Sequence, residues 1–208
     1  MTAHDDLIAQ LADVGKEAVA QGLVLASGGN LSARLPGADE FVVTGTGTYL
    51  DRLGADEFSV VGLDGRIRGG NPNPSSEWKL HQRTYLIRPD VNAVIHLHPQ
   101  YTVLLDALGH EIRLISLDQA YYVRNTSRVP YLPSGSDELA DAAAEAARDC
   151  NAVIMGFHGC SCLGETIAMG FRRAQNLEQA AMTTFRCIQL GNTDLTFPPE
   201  WFDKLATV

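Results

Sequence analysis

Leu7, Ile8, Leu11, Val14, Ala18 and Val19 recur at three- and four-residue intervals. That spacing lines one face of a helix, so roughly the first twenty residues predict an amphipathic helix closing near Gly22. The pattern then shifts to short apolar runs punctuated by glycine. Ser27-Gly-Gly-Asn30 followed by Leu-Ser-Ala-Arg, and Phe41-Val-Val-Thr44 followed by Gly-Thr-Gly47, predict strands separated by tight turns. Phe58 to Gly62 predicts a further strand, with Asp64-Gly65 turning it into Arg66-Ile-Arg68. Asn71-Pro-Asn-Pro74 breaks the chain, and Ser75 stands where an N-cap would open a helix to about Arg88, ended by Pro89. Ala93-Val-Ile-His-Leu-His98 alternates like a strand and stops at Pro99, after which Tyr101 to Leu108 has a helical pattern. Ser136 opens an alanine-rich helix to about Asp149, Ala152-Val-Ile-Met155 is a buried strand leading into His158-Gly159, and Ile167, Phe171, Ala174, Leu177, Ala181, Phe185 and Ile188 mark a long last helix. With no repeats or linkers, these elements predict one α/β domain over residues 1–208, helices covering a sheet.

Composition narrows the partners. The 208 residues are 45% hydrophobic and 20% charged, enough apolar material for a sizeable core. Sixteen basic residues against 25 acidic leave a net charge of -9, without a Lys/Arg-rich run, which argues against a nucleic-acid partner. An uninterrupted apolar stretch of about 20 residues, needed to span a bilayer, is lacking, and the first residues do not form a secretion signal, so a cytoplasmic protein without a membrane partner is expected. Cys150, Cys160, Cys162 and Cys187 contain no C-x-x-C pair and read as reduced thiols. Cys160 and Cys162 lie close to His158, but two thiolates would build a closed structural zinc site, so packing is the preferred reading.

The candidate chemistry lies in the histidines. His96 and His98 are spaced by one on a strand, so both rings leave the same face and can meet one ion. His158 also follows an apolar strand, and would reach the same rim if the two strands are neighbours. Three imidazoles with a position left open form the catalytic rather than the structural zinc pattern. His4, His81 and His110 lack such pairing and are assigned no ligand role. His81, four residues after Glu77, either orients that carboxylate or packs as a partly buried helix histidine, the plainer reading. Ser75, Ser76 and Glu77 at a predicted helix start, together with the glycine turns Gly28-Gly29-Asn30 and Thr46-Gly47, offer backbone N–H groups and short polar side chains to an anion. Glu77 in a first turn is ordinary by itself, but beside a metal it could coordinate the ion and act as a base.

Ser-Gly-Gly-Asn-Leu-Ser (27–32), Thr-Gly-Thr-Gly (44–47), Pro-Ser-Ser-Glu-Trp-x-x-His (74–81), Ala-Val-Ile-His-x-His-Pro (93–99) and His-Gly (158–159) together resemble, in order and spacing, the class II aldolase/adducin family. The likeness covers nearly the whole chain and is nearest the fuculose-1-phosphate aldolase branch. The resemblance implies a three-layer α/β/α fold with a mostly antiparallel central sheet, assembled as a homotetramer with active sites between subunits. It implies Zn²⁺, or another divalent cation, on His96, His98, His158 and Glu77, with Glu77 as acid/base. Gly29, Asn30, Thr46, Gly47, Ser75 and Ser76 would grip the phosphate of a small phosphorylated sugar. The implied reaction is reversible cleavage of a ketose 1-phosphate to dihydroxyacetone phosphate and an aldehyde. Dehydration, decarboxylation or epimerisation of a related sugar phosphate, or a non-catalytic adducin-like binding module, are the alternatives. Two departures stand out. Leu117 falls where the family's aldolases carry a tyrosine that protonates the aldehyde oxygen, with Tyr121 and Tyr122 nearby, and Cys-Ser-Cys follows His158-Gly159 in place of an aliphatic run.

Overall fold

The computed structural model describes residues 3–202 and 204–205; the remaining positions of the predicted unit 1–208 lie outside them. The first helix, α1, runs over Ala3–Ala20 as its periodicity requires. Four strands follow, β1 (Asn30–Ala33), β2 (Glu40–Thr44), β3 (Phe58–Gly62) and β4 (Ile67–Gly70). Then come α2 (Trp78–Ile87), β5 (Ala93–Leu97), α3 (Gln100–Ala107), α4 (Leu117–Tyr122), β6 (Ser127–Val129), α5 (Asp137–Ala146), β7 (Ala152–Met155), β8 (Gly159–Gly164) and α6 (Ile167–Gln189). The periodic pattern did not reveal α4, β6 or β8. The first two are short, and β8, Gly-Cys-Ser-Cys-Leu-Gly, lacks the β-branched run that signals a strand.

The strands form one eight-stranded sheet in the order β4-β3-β2-β1-β5-β8-β7-β6. Each pair is antiparallel except β6 with β7. Alternation along the central strands splits the core in two. Leu31, Ala33, Ala93, Ile95, Leu97, Cys160 and Cys162 pack with residues of α1 and α6, whereas Val94, Val153 and Leu163 pack on the opposite face with Leu80 and Tyr85 of α2 and Leu139 and Ala143 of α5. The sheet is therefore sandwiched between helical layers, the predicted α/β/α arrangement. Burying a side chain such as Ile95, fully enclosed, stabilises the fold by about 1.5–3 kcal/mol, and truncating it to alanine costs about 2–5 kcal/mol because a cavity remains. No helix among the described residues is long and apolar enough to cross a membrane.

The same alternation positions the polar residues. Asn30 and Ser32 on β1, in register with His96 and Val94 of β5, share the face that looks toward α2. From α2, His81 and Tyr85 project onto that face, one helical turn apart, with Glu77 a further turn before them.

Candidate metal centre and anion pocket

His96 is fully buried near the end of β5, and its Nδ1 lies 3.0 Å from the carbonyl oxygen of Cys160 on β8. In the neutral ring Nδ1–H donates there, which leaves the Nε2 lone pair facing the site. His98 continues the alternation one residue beyond the strand, its Nε2 3.0 Å from Nε2 of His96. The third ring comes from a different place than expected. β5 and β7 are not neighbours, because β8 lies between them. His158 reaches the site from the β7–β8 hairpin turn, which folds back beside β5. That turn carries Phe157 in the left-handed region (φ 56°), its N–H held by Asp106 Oδ2 at 3.1 Å. Gly159 follows because a Cβ there would lie 2.3 Å from the Leu97 carbonyl oxygen. The three ring centroids are 4.9, 5.0 and 4.9 Å apart, with planes inclined at 64–74°, a three-bladed arrangement about a common centre.

Glu77 completes the group. It is 5% exposed. Its Oε2 lies 3.2 Å from His96 Nε2 and accepts from Asn30 Nδ2 at 2.9 Å. Its Oε1 lies 3.4 Å from His158 Nε2 and accepts from the Ser134 hydroxyl at 2.9 Å. Burial raises the Glu77 carboxyl, whereas a proton held by the neighbouring His96 or His158 ring, together with the Asn30 N–H, outweighs it and holds the group below the usual carboxylate range. Burial, followed by the neighbouring rings, lowers His98 to about 3 and also lowers His158, so both are neutral near pH 7. One ligand atom from each of Glu77, His96, His98 and His158 lies within 4.8 Å of the others. Lone pairs that converge in this way repel unless a cation or proton sits among them, and imidazole nitrogens with a carboxylate are the donor set that suits a catalytic divalent ion. The residues present therefore fit such an ion.

Beside this cluster lies a cavity of about 160 Å³, whose walls include Gly29, Asn30, Thr46, Gly47, Ser75 and Ser76, together with Ser27, Gly28, Gly45, Thr48 and Ser134. The six residues expected to contact an anion thus come together beside the candidate metal ligands. None of the lining residues is lysine or arginine, so an anion there would be met by backbone amides, hydroxyls and the cation-binding cluster. Gly29 has φ 71°, and a Cβ on it would fall 2.7 Å from the His96 carbonyl oxygen, so the wall can approach β5 only without a side chain.

Two local expectations are corrected. Ser75 does not cap α2. Its N–H is tied to the Thr44 carbonyl oxygen, and its hydroxyl accepts from Glu77 N–H, so the chain stays bridged to the sheet and the helix starts at Trp78 with Glu77 as its N-cap. His81 is not partly exposed but fully buried and bonded through both ring nitrogens, to Asn30 and Ser32. Ser134, which holds Glu77, lay in a Pro-Ser-Gly-Ser loop with no signal beyond turn composition. The four cysteines are free thiols, and Cys160 and Cys162 face the α6 side, away from the rings. Tyr121 and Tyr122 stack edge to face on α4, and neither lines the cavity. His4 pairs with Glu40, and His110 lines a separate cavity of about 630 Å³ with Asp106 and Arg128.

The α/β/α fold thus carries three imidazoles and a carboxylate that could hold a metal ion, beside a polar cavity lined by neither lysine nor arginine. The chain belongs to the Class II Aldolase and Adducin N-terminal domain family, whose model matches residues 9–185. It is 30% identical over 192 residues to the 5-deoxy-D-ribulose 1-phosphate aldolase of Bacillus thuringiensis serovar kurstaki, covering 92% of this chain and 90% of that protein. It is 33% identical over 161 residues to an L-fuculose phosphate aldolase of Methanocaldococcus jannaschii, covering 77% and 86%. A relative with another chemistry, the 3-oxo-tetronate 4-phosphate decarboxylase of Haemophilus influenzae, is 29% identical over 188 residues, covering 88% and 87%. Among solved structures, an L-fuculose 1-phosphate aldolase superposes with a TM-score of 0.90 at 25% identity, covering 99% of this chain and 96% of that one.

Proposed function

We propose that this chain is a zinc-dependent aldolase, another divalent ion being an alternative, that reversibly cleaves a ketose 1-phosphate to dihydroxyacetone phosphate and an aldehyde. The convergence of His96, His98, His158 and Glu77 on one point at the wall of an anion pocket carries this reading. A divalent ion held there would act as a Lewis acid toward the oxygens of the donor and draw off the negative charge that develops as the carbon–carbon bond breaks. The protein's own share is positioning and proton transfer. Thr46 and the Gly29, Asn30 and Gly47 backbone would hold the phosphate with Ser75 and Ser76, fixing the donor's carbon next to Glu77. In the direction of synthesis Glu77 takes the proton from the donor carbon beside the carbonyl; in cleavage it returns that proton to the same carbon after the aldehyde has left. The aldehyde oxygen needs a separate proton donor. Neither Tyr121 nor Tyr122 lines the cavity of its own chain, and in a cytoplasmic homotetramer with sites between subunits a tyrosine of a second copy would supply that proton.

Decarboxylation of a 3-oxo sugar acid phosphate is the second reading, favoured by the Haemophilus influenzae relative. It would use the same charge stabilisation and needs no acid at an aldehyde oxygen. A panel of ketose 1-phosphates, assayed with zinc by coupled detection of dihydroxyacetone phosphate, tests the proposal. Carbon dioxide release from a 3-oxo acid phosphate without cleavage of any ketose 1-phosphate would replace aldolase with decarboxylase. Protein that binds no divalent ion would remove both.

A further inference from the structure

The orientation of Glu77 depends on an amide that could point either way. Asn30 donates from Nδ2 to Glu77 Oε2, yet the two ends of a carboxamide are nearly alike in shape, so something must choose which end faces the carboxylate. The carboxylate only accepts and so calls for the N–H end, while His81 holds the other end. Its Nε2 is 2.5 Å from Asn30 Oδ1 and its Nδ1 is 2.6 Å from Ser32 Oγ, which in turn lies 2.7 Å from the Tyr85 hydroxyl. Burial lowers His81 to about 3, so the ring is neutral and carries one N–H. A carbonyl oxygen can only accept, which puts that hydrogen on Nε2. Nδ1 then accepts from Ser32, and Ser32 accepts from Tyr85. Each hydrogen bond in the series points toward the carboxylate, from Tyr85 through Ser32, His81 and Asn30 to Glu77.

We propose that His81 is a positioning residue for Glu77, its Nε2–H locking the Asn30 amide so that only N–H faces Oε2. Oε2 is thereby committed on the closed side of the site. Oε1, beside Ser134 and His158 at the cavity wall, becomes the oxygen that carries the proton. This rests on the reading of Glu77 as the base. His81 does not line the cavity, and its ring bonds Asn30 and Ser32, so its hydrogen-bond route to Glu77 runs through Asn30.

Two substitutions separate loss of the donor from general damage. Glutamine places its amide nitrogen near the position of imidazole Nε2, so His81→Gln keeps a donor for Asn30. Asparagine reaches only the position of Nδ1, so His81→Asn keeps the Ser32 contact and drops Asn30. The assay is solvent-deuterium exchange into the C–H of dihydroxyacetone phosphate, with donor KM and bound metal measured alongside. His81→Asn should lose roughly 10- to 100-fold in exchange rate with KM and metal content little changed, while His81→Gln stays close to wild type. Equal losses, or the greater loss in His81→Gln, would overturn the proposal. Nitrogen-15 NMR of the wild-type ring supplies a readout independent of turnover: protonation at Nε2 is expected, and protonation at Nδ1 overturns it. Should wild-type protein not exchange the donor proton at all, the aldolase reading falls, while the tautomer still decides what orients Asn30.

Discussion

Replacing Glu77 by glutamine separates the chemistry of the site from its architecture. The carboxylate accepts two hydrogen bonds, from Asn30 Nδ2 and the Ser134 hydroxyl, each at 2.9 Å. Because His81 fixes the Asn30 amide, the glutamine oxygen must take the place of Oε2, which leaves its NH₂ where Oε1 stood, facing Ser134 and the His158 lone pair. The Ser134 hydroxyl can rotate to accept, so the fold loses at most the charged character of one or two hydrogen bonds, about 1 kcal/mol. For a chain of this size that shifts Tm by about 2–4 °C. The chemical loss is larger, because an amide cannot shuttle a proton at accessible pH. General acid–base catalysis contributes roughly 10²–10⁴-fold, or about 3–5 kcal/mol of barrier. The variant should therefore melt near the wild-type temperature and exchange the donor proton at least about a hundredfold more slowly. Thermal melting and deuterium exchange measure these two quantities, and elemental analysis should show that the metal is retained. Wild-type exchange rates from a metal-loaded Glu77→Gln protein would show that another group is the base.

Three further outcomes follow from the geometry. His96→Ala removes one of the three rings of the cluster and should abolish stoichiometric zinc binding and turnover together; a variant that keeps both would remove His96 from the ligand set. Gly159→Ala forces a Cβ to 2.3 Å from the Leu97 carbonyl oxygen and 2.7 Å from His98 Cδ2, so it should lower metal affinity as well as stability by about 1–3 kcal/mol; unchanged affinity in a calorimetric titration would contradict the close packing of the hairpin against β5. His81 sits at about 3 when folded against about 6.5 unfolded, so the unfolded chain binds a proton that the native state excludes. Its contribution to stability is complete above about pH 6.5 and is lost as pH falls toward 3, about 2 kcal/mol between pH 6.5 and 5. Urea unfolding of metal-free protein should show this slope, and His81→Gln should flatten it by one proton; identical slopes would mean that His81 titrates normally.

Much of this site can be read from local pattern. Period-two alternation through Ala93–His98 puts His96 and His98 on one face, and the helical spacing of Glu77, His81 and Tyr85 puts those three along another element's face; both follow from backbone geometry that each segment carries by itself. The glycine turns and the serines before α2 were likewise read as a place for an anion, and they line one cavity beside the histidines. What local pattern cannot supply is which segments meet. His158 was expected from a strand beside β5, but β8 intervenes, and the ring arrives by a hairpin whose left-handed Phe157 is held by Asp106 from α3. Ser134 comes from a loop 57 residues away from Glu77, and His81 finds Asn30 across 51 residues, with no periodicity to mark either. Residue type and spacing determined the candidate ligands and the helical and strand faces because these depend on neighbours within a few residues. Strand order, the hairpin return and the hydrogen-bond series that aims Glu77 were decided only when the sheet closed, because they depend on packing between segments that the chain itself keeps apart.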